Sequence, residues 1–282
     1  MVESGHRAEI RPVDFTSRRH PDLPVEAVTR SELLARFDPG HFARPERVSF
    51  AALLLVRDGS GRHDVDFETI PLRPGRVVEV RPGQVHRWHM EDGCDTVAVL
   101  SRSPLPTSGE WFPGDAAHRD LDATSAVTAW ALVDALLVEQ ERFIPDTASE
   151  RLMMALLEAL TALARRASPN AQEAPRPAAY RAFRAALERD PGASHTVRGH
   201  VAGLPYSERT VNRACVRATG RSAKALLTDR IALEAKRLLA HTDDPAATVA
   251  SRLGFGEPGN FHKFFVRATG GTPASFRRRS RP

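Results

Sequence analysis

The rhythm of apolar and polar residues changes twice along this chain. From Val48 to Leu100, short apolar runs alternate with Gly and Pro turns: SFAALLLV, DGSGRH, DVDFETIPL, RPGR, VVEV, RPGQVHRW and TVAVL. Strands at this spacing predict a small sandwich or barrel. Period 2 places His63, Val65 and Phe67 on one face and Asp64, Asp66 and Glu68 on the other. Two helical stretches follow. Thr124–Gln140 carries Val127, Trp130, Ala131, Val133, Leu136 and Leu137 at spacings of three and four, and Ser149–Arg166 carries Leu152, Met153, Leu156, Leu157, Leu160 and Leu163. Ser168–Ala179 is polar, holds three prolines and reads as a linker. Only helical patterns come after it. The expectation is an α+β multidomain chain. It has an arm over 1–45 with one short helix at Arg30–Phe37, a β-barrel over 46–103, a helical region over 104–167, a linker over 168–178 and an all-α domain over 179–282.

The all-α part contains a repeat. Val216-Arg217-Ala218-Thr219-Gly220 recurs as Val266-Arg267-Ala268-Thr269-Gly270, an offset of 50 residues. Val211 matches Phe261, Arg213 matches Lys263, Cys215 matches Phe265 and Ser222 matches Thr272. Each copy predicts a helix, a tight turn, a second helix and a stop. In the first, Val197, Val201 and Leu204 precede a turn at Pro205-Tyr206, Ser207 caps the next helix and Gly220 ends it. In the second, Asp244 is the expected cap with Pro245 at the first helical position, Gly254 makes the turn, and a helix from about Glu257 to Thr269 buries Phe261, Phe264 and Phe265. Between the copies, Arg221–Ala240 predicts one amphipathic helix with Leu226, Leu227, Ile231, Leu238 and Leu239 apolar. At ~1.5 Å per residue it spans roughly 30 Å, close to the ~34 Å of one DNA turn.

If Val211, Ala214 and Cys215 are buried, Arg209, Asn212 and Arg213 face outward. In the second copy Pro258, Gly259, Asn260 and Lys263 do so. Arg and Asn suit bidentate reading of guanine and adenine edges in the major groove. Arg217 and Arg267 are placed for phosphates, as are Ser207 and the turn amides at the helix N-termini. Two helical hairpins of a repeat protein would share the pattern, but two copies are too few for a solenoid, and charge favours DNA. The net charge of +5 divides unevenly: residues 179–282 hold 19 basic and 8 acidic side chains, whereas the first 178 hold 21 basic and 27 acidic. A basic block behind an acidic one points to a polyanion partner for one domain only.

The segment YSERTVNRACVRATGRSAKALLTDRIALEAKRLLAHTDDPAATVASRLGFGEPGNFHKFFVRATGGTPASFRR resembles the DNA-binding domain of AraC/XylS-family regulators over about 100 residues. The LEAKRLLAHTD helix, the RLGF turn and the FHKFFVRATGGTPASFR ending carry it. The resemblance implies two helix-turn-helix units joined by one helix, with base-reading sites on Arg209, Asn212, Arg213, Pro258, Gly259, Asn260 and Lys263. It departs from the family pattern at Pro205, where Gly is usual, and at Val201, where Ala is usual. More loosely, GSGRHDVDFETIPLRPG and VRPGQVHRW resemble the family's cupin-like sensor barrel. That implies an effector pocket or signalling surface, and a dimerisation role for the helices after Thr124.

A pocket in the barrel would draw on His63, Val65, Phe67, His86 and Trp88. His41, His63, His86 and His89 invite a metal reading. However, His86 and His89 stand three apart on a strand and point to opposite faces, and the His-x-His pair of cupin metal sites is absent, so no metal or other cofactor is expected. Ser101, Ser103 and Ser108 lack a G-x-S-x-G turn, and neither a P-loop nor a G-x-G-x-x-G follows a strand. No catalytic residue is assigned. Cys94 and Cys215 fall in separate predicted domains, which fits a reducing cytoplasm. No apolar run of membrane-spanning length and no secretory leader is seen. The expected partners are double-stranded DNA, a small-molecule effector, a second copy of the chain and, for an activator, RNA polymerase. Two alternatives stay open: a cupin-type metalloenzyme with an appended DNA-binding domain, and a regulator controlled by a protein partner.

Overall fold

The computed structural model describes residues 11–37, 42, 44–89, 93–102, 117–167 and 177–280, arranged in two compact units, Met1–Gln172 and Glu173–Pro282. His41, Ser103, Ser108 and most of the proline-bearing linker lie outside the described residues.

In the first unit two five-stranded sheets face each other. One has the order β1 (Arg11–Val13), β3 (Glu46–Val48), β8 (Val85–His89), β5 (Gly61–Val65), β6 (Glu68–Leu72). The other runs β10 (His118–Asp120), β7 (Arg76–Val80), β4 (Ala51–Asp58), β9 (Asp95–Ser101), β2 (Val25–Thr29). The pairings are antiparallel except β1 with β3. Helix α1 (Arg30–Arg36) begins at a capping box between Thr29 and Glu32. The described part of the first 45 residues, expected as an arm, thus includes β1, β2 and α1.

The continuous apolar run of β4 has a simple cause. Ala52, Leu54 and Val56 fill the space between the sheets, while Ala51, Leu53 and Leu55 join a second core on the outer face. Helices α2 (Ala123–Glu141) and α3 (Thr147–Arg166) cover that face through Ala129, Val133, Leu136, Met153, Leu157 and Leu160. A strand buried on both sides loses its alternation. Gln140 closes the open edge of β2: its side-chain oxygen accepts from the Ala27 amide at 2.9 Å and its amino group donates to the Ala27 carbonyl at 3.0 Å, as a neighbouring strand would. The predicted single run DVDFETIPL is instead a hairpin. It breaks at Asp66, whose φ of 54° is the one positive value at a described non-glycine residue. The Asp66 carboxylate offsets that conformation by accepting from the Val85 amide at 3.2 Å and the Gln84 side chain at 2.8 Å.

The second unit is all helical: α4 (Ala178–Arg189), α5 (Val197–Val201), α6 (Glu208–Thr219), α7 (Ala223–His241), α8 (Ala246–Arg252), α9 (Pro258–Thr269) and α10 (Pro273–Ser280). Helix α7 is the common support, carrying α5 and α6 near its start and α8, α9 and α10 near its end. Ala235, Leu238 and Leu239 of α7 pack with Val249, Leu253, Phe261 and Phe265. Arg230 and Arg237, both buried, share the Glu234 carboxylate at 3.2 Å each, and Glu188 of α4 reaches Arg230 at 2.9 Å.

Candidate nucleic-acid interface and ligand cavity

The repeated sequence builds the same helix end twice. Gly220 and Gly270 stop α6 and α9 with φ of 69° and 75°, their amides donating to Val216 and Val266. The Thr219 and Thr269 hydroxyls donate back to Cys215 and Phe265 at 2.9 and 2.8 Å. Ser222 and Thr272 then accept from the amides of Ala225 and Ser275. The helix starts differ. Ser207 caps α6 by accepting from the Thr210 amide at 3.1 Å, and its hydroxyl also bonds that of Thr210 at 2.9 Å. Helix α9 starts at Pro258 without a side-chain cap. Asp244 does not cap α8: Pro245 holds that place. With the helix starting one residue later, the Asp244 carboxylate reaches Arg252 instead, at 2.8 Å. The turns differ as well. Gly254 takes φ of 76°, whereas no residue between α5 and α6 enters the left-handed region. There the chain passes through exposed Pro205, with Val201 buried behind it.

Val211, Ala214 and Cys215 are buried, and so are Phe261 and Phe265. Arg209, Asn212, Arg213 and Arg217 are exposed on α6, and Pro258, Gly259, Asn260, Lys263 and Arg267 on α9. At 3.6 residues per turn the face opposite the buried stripe centres on Arg209, Arg213 and Val216 in α6 and on Gly259, Lys263 and Val266 in α9. Three points escaped the sequence reading. Val216 and Val266, exposed by 47% and 36%, sit in the middle of these faces, where an apolar group meets the thymine methyl. His262, exposed at the offset-50 position of Asn212, flanks the second face while Asn260 stands at its edge. Asn212 itself is engaged, its side-chain oxygen accepting from the Ala223 amide at 3.0 Å at the start of α7. The strict offset would have singled out the valines and His262. Cys215 is walled in, and burial pushes its thiol up to about 11.

In the first unit a cavity of about 140 Å³ opens between the sheets. His63, His86 and Trp88 line it, together with Phe15, Phe50 and Leu100. Val65 is buried beside it in the inter-sheet core and does not line it. Phe67 is 47% exposed in the β5–β6 turn, because the break at Asp66 ends the alternation that would have carried it inward. The His63 and His86 rings bond at 3.3 Å, and Trp88 meets His63 edge-on with centroids 4.5 Å apart. Burial, then the neighbouring His86, hold the His63 imidazole well below its ordinary range, so it is neutral. His89 points the other way and binds Asp64 at 2.7 Å. Among the described residues no group of three or more His, Cys, Asp or Glu is placed to hold a metal ion. The cavity wall also uses residues ahead of the predicted barrel: Phe37 of the α1 end and the buried Glu26, which pairs with Arg36 at 3.0 Å.

No helix among the described residues is long and apolar enough to cross a membrane. No curated protein matched the chain. Among solved structures, unsaturated fatty acid bound wild-type ToxT from Vibrio cholerae is similar at 10% identity, over 81% of this chain and 87% of that one, with a TM-score of 0.38. A probable AraC family transcriptional regulator from Rhodopseudomonas palustris is similar at 24% identity, over 37% and 98%, with a TM-score of 0.32. A DNA-binding transcriptional dual regulator from Escherichia coli is similar at 20% identity, over 39% and 97%, with a TM-score of 0.33. Two family models match: an AraC-like ligand binding domain over residues 31–179 and a helix-turn-helix domain over residues 201–279. The chain belongs to the AraC/XylS family of DNA-binding transcription regulators, pairing a ligand-binding domain with a helix-turn-helix domain.

Proposed function

We propose that this regulator reads one turn of DNA with α6 and α9 and is switched by a small molecule in the inter-sheet cavity. The observation that carries the DNA reading is the pairing of two exposed helix faces, Arg209–Arg213–Val216 and Gly259–Lys263–Val266, on one connecting helix of 19 residues, about 28 Å long. Arg209 and Arg213 take guanine edges, Lys263 with Asn260 and His262 supplies the polar contacts of the second face, and Pro258 and Gly259 let the α9 backbone approach closely. Asn212 contributes through its amino group, since its oxygen is spent on α7. Arg217 and Arg267 take phosphates, as do the amides at the start of α9. The Ser207 hydroxyl caps its own helix first, which leaves its neighbouring amides as the phosphate donors.

The cavity accepts a compact, largely apolar effector, with His63, His86 and Trp88 as its polar and aromatic wall. Dimerisation falls to the outer faces of α2 and α3 and the turn that joins them, where Val127, Val138, Ile144 and Leu152 are exposed by 45–72%. The protein acts in the cytoplasm by binding rather than catalysis, and contacts RNA polymerase if it activates. Selection of bound sequences from a random DNA pool tests the reading: recovery of two conserved patches about 10 base pairs apart is expected, and binding indifferent to sequence would refute it.

A further inference from the structure

Two helix-turn-helix halves joined by one helix can twist about it unless a second contact holds them. Here the segment between α4 and α5, in the first half, lies against the α8–α9 turn of the second. The His195 ring stacks on Phe255 with centroids 3.9 Å apart and planes 28° apart. Its Nε2–H donates to the Leu253 carbonyl at 2.7 Å. Phe255 in turn meets Phe261 and Phe264 at 5.4 and 5.2 Å, so His195 extends the aromatic core of the other half. Lys224, in the first turn of α7, donates to the His195 carbonyl at 2.6 Å. The backbones touch too: a Cβ on Gly254 would stand 2.5 Å from the Gly192 carbonyl oxygen, and one on Gly192 3.3 Å from the Leu253 Cα. A side chain at Gly254 is excluded by that approach, and one at Gly192 would fit only tightly.

Leu253 and Phe255 stand just ahead of α9, so this contact fixes how α9 is set relative to α6. We propose that the His195–Phe255 contact is a latch that makes the spacing between the two DNA sub-sites part of this regulator's specificity. His195 is a positioning residue and touches no base. The proposal rests on α6 and α9 being the reading helices. One added base pair moves the second sub-site by ~3.4 Å and turns it by about 35°. A latched pair cannot follow that change without losing contacts at one sub-site; an unlatched pair can.

The test uses the full-length protein, its selected DNA site, and versions of that site with one base pair added or removed between the two patches. The wild type is expected to lose about tenfold in affinity per change, the scale of a mismatched base pair. His195→Ala is expected to lose less than about threefold, with base preference inside each patch unchanged. His195→Phe keeps the stacking and Lys224→Met removes one hydrogen bond; both should fall between these values while the protein stays folded, and they decide the matter if His195→Ala does not fold. A flat wild-type profile, or a steep one retained by the folded variants, overturns the latch. Arg209→Ala and Lys263→Ala separate the two claims. If neither changes base preference, the assignment of the reading helices fails. If both do while spacing selectivity ignores His195, the latch alone fails.

Discussion

Replacing Asn212 separates its part in building the reader from its part in reading DNA. Its side-chain oxygen accepts from the Ala223 amide at 3.0 Å, and Ala223 is the first residue of α7 and 1% exposed. The Ser222 hydroxyl accepts from the Ala225 amide instead. Asn212→Ala therefore strands a buried donor at a helix start, at a cost of about 1–2 kcal/mol. For a domain of this size each kcal/mol lowers the melting temperature by roughly 4–8 °C. Asn212→Asp keeps the acceptor and adds negative charge at the N-terminus of α7, favourable by ~0.3–1 kcal/mol, but sets that charge against DNA phosphates. The expected pattern is a destabilised alanine variant and a stable aspartate variant that binds DNA weakly. The two units can be followed apart: the tryptophans, Trp88, Trp111 and Trp130, all lie in the first unit, so a far-ultraviolet dichroism transition without a fluorescence counterpart belongs to the second. Equal melting of the wild type and Asn212→Ala, or equal destabilisation of both variants, would rule out this role for the Asn212 oxygen.

Other outcomes follow from the same geometry. Arg217→Ala should weaken binding to all sequences alike and reduce the slope of log affinity against log salt by about 1; a loss confined to one sequence in binding titrations would contradict a phosphate role. Gln140→Ala should cost about 2 kcal/mol in urea titrations, because both backbone groups of Ala27 lose their partner. Burial opposes charge on Asp64, but hydrogen bonds from His89, Thr69 and Arg87 outweigh it and lower its carboxyl to about 2. Its folded value lies below the ordinary one near 4. The stabilisation is therefore complete above about pH 4 and is lost as pH falls toward 2. Asp64→Asn should remove about 1 kcal/mol at pH 7, after allowance for solvent screening, and flatten the acid limb of stability against pH; an acid limb identical to wild type would rule this out. Ala98→Phe places bulk in the cavity wall and should abolish thermal stabilisation by any metabolite that stabilises the wild type, leaving DNA affinity intact; retained stabilisation would place the ligand elsewhere.

The helical half was legible because its signal is local. Caps, stops and buried stripes repeat at a fixed offset, so Ser207, Gly220, Gly270 and the outward arginines could be placed by counting. What counting missed was long-range. The Asn212 contact with Ala223 and the His195 contact with Phe255 join positions whose proximity only the fold creates. In the barrel, strand runs were visible, but Asp66 broke one of them through a left-handed conformation that alternation cannot signal, and this moved Phe67 from the interior to the surface. The cavity wall recruits Phe15, Glu26 and Phe37 from a proline-punctuated segment whose pattern predicts little, because β2 pairs with β9, some seventy residues away. Asp244 was misplaced by one residue, enough to exchange a cap for an ion pair.

If α6 and α9 read separate parts of one DNA turn, base preference must respond to each helix separately. The most direct measurement is base preference, position by position across the selected site, for the wild type, Arg209→Ala and Lys263→Ala. Each variant should lose about 1–3 kcal/mol of discrimination at its own patch only, the two patches lying about 10 base pairs apart on one face. Unchanged preferences in both variants, or both acting on the same patch, would contradict it.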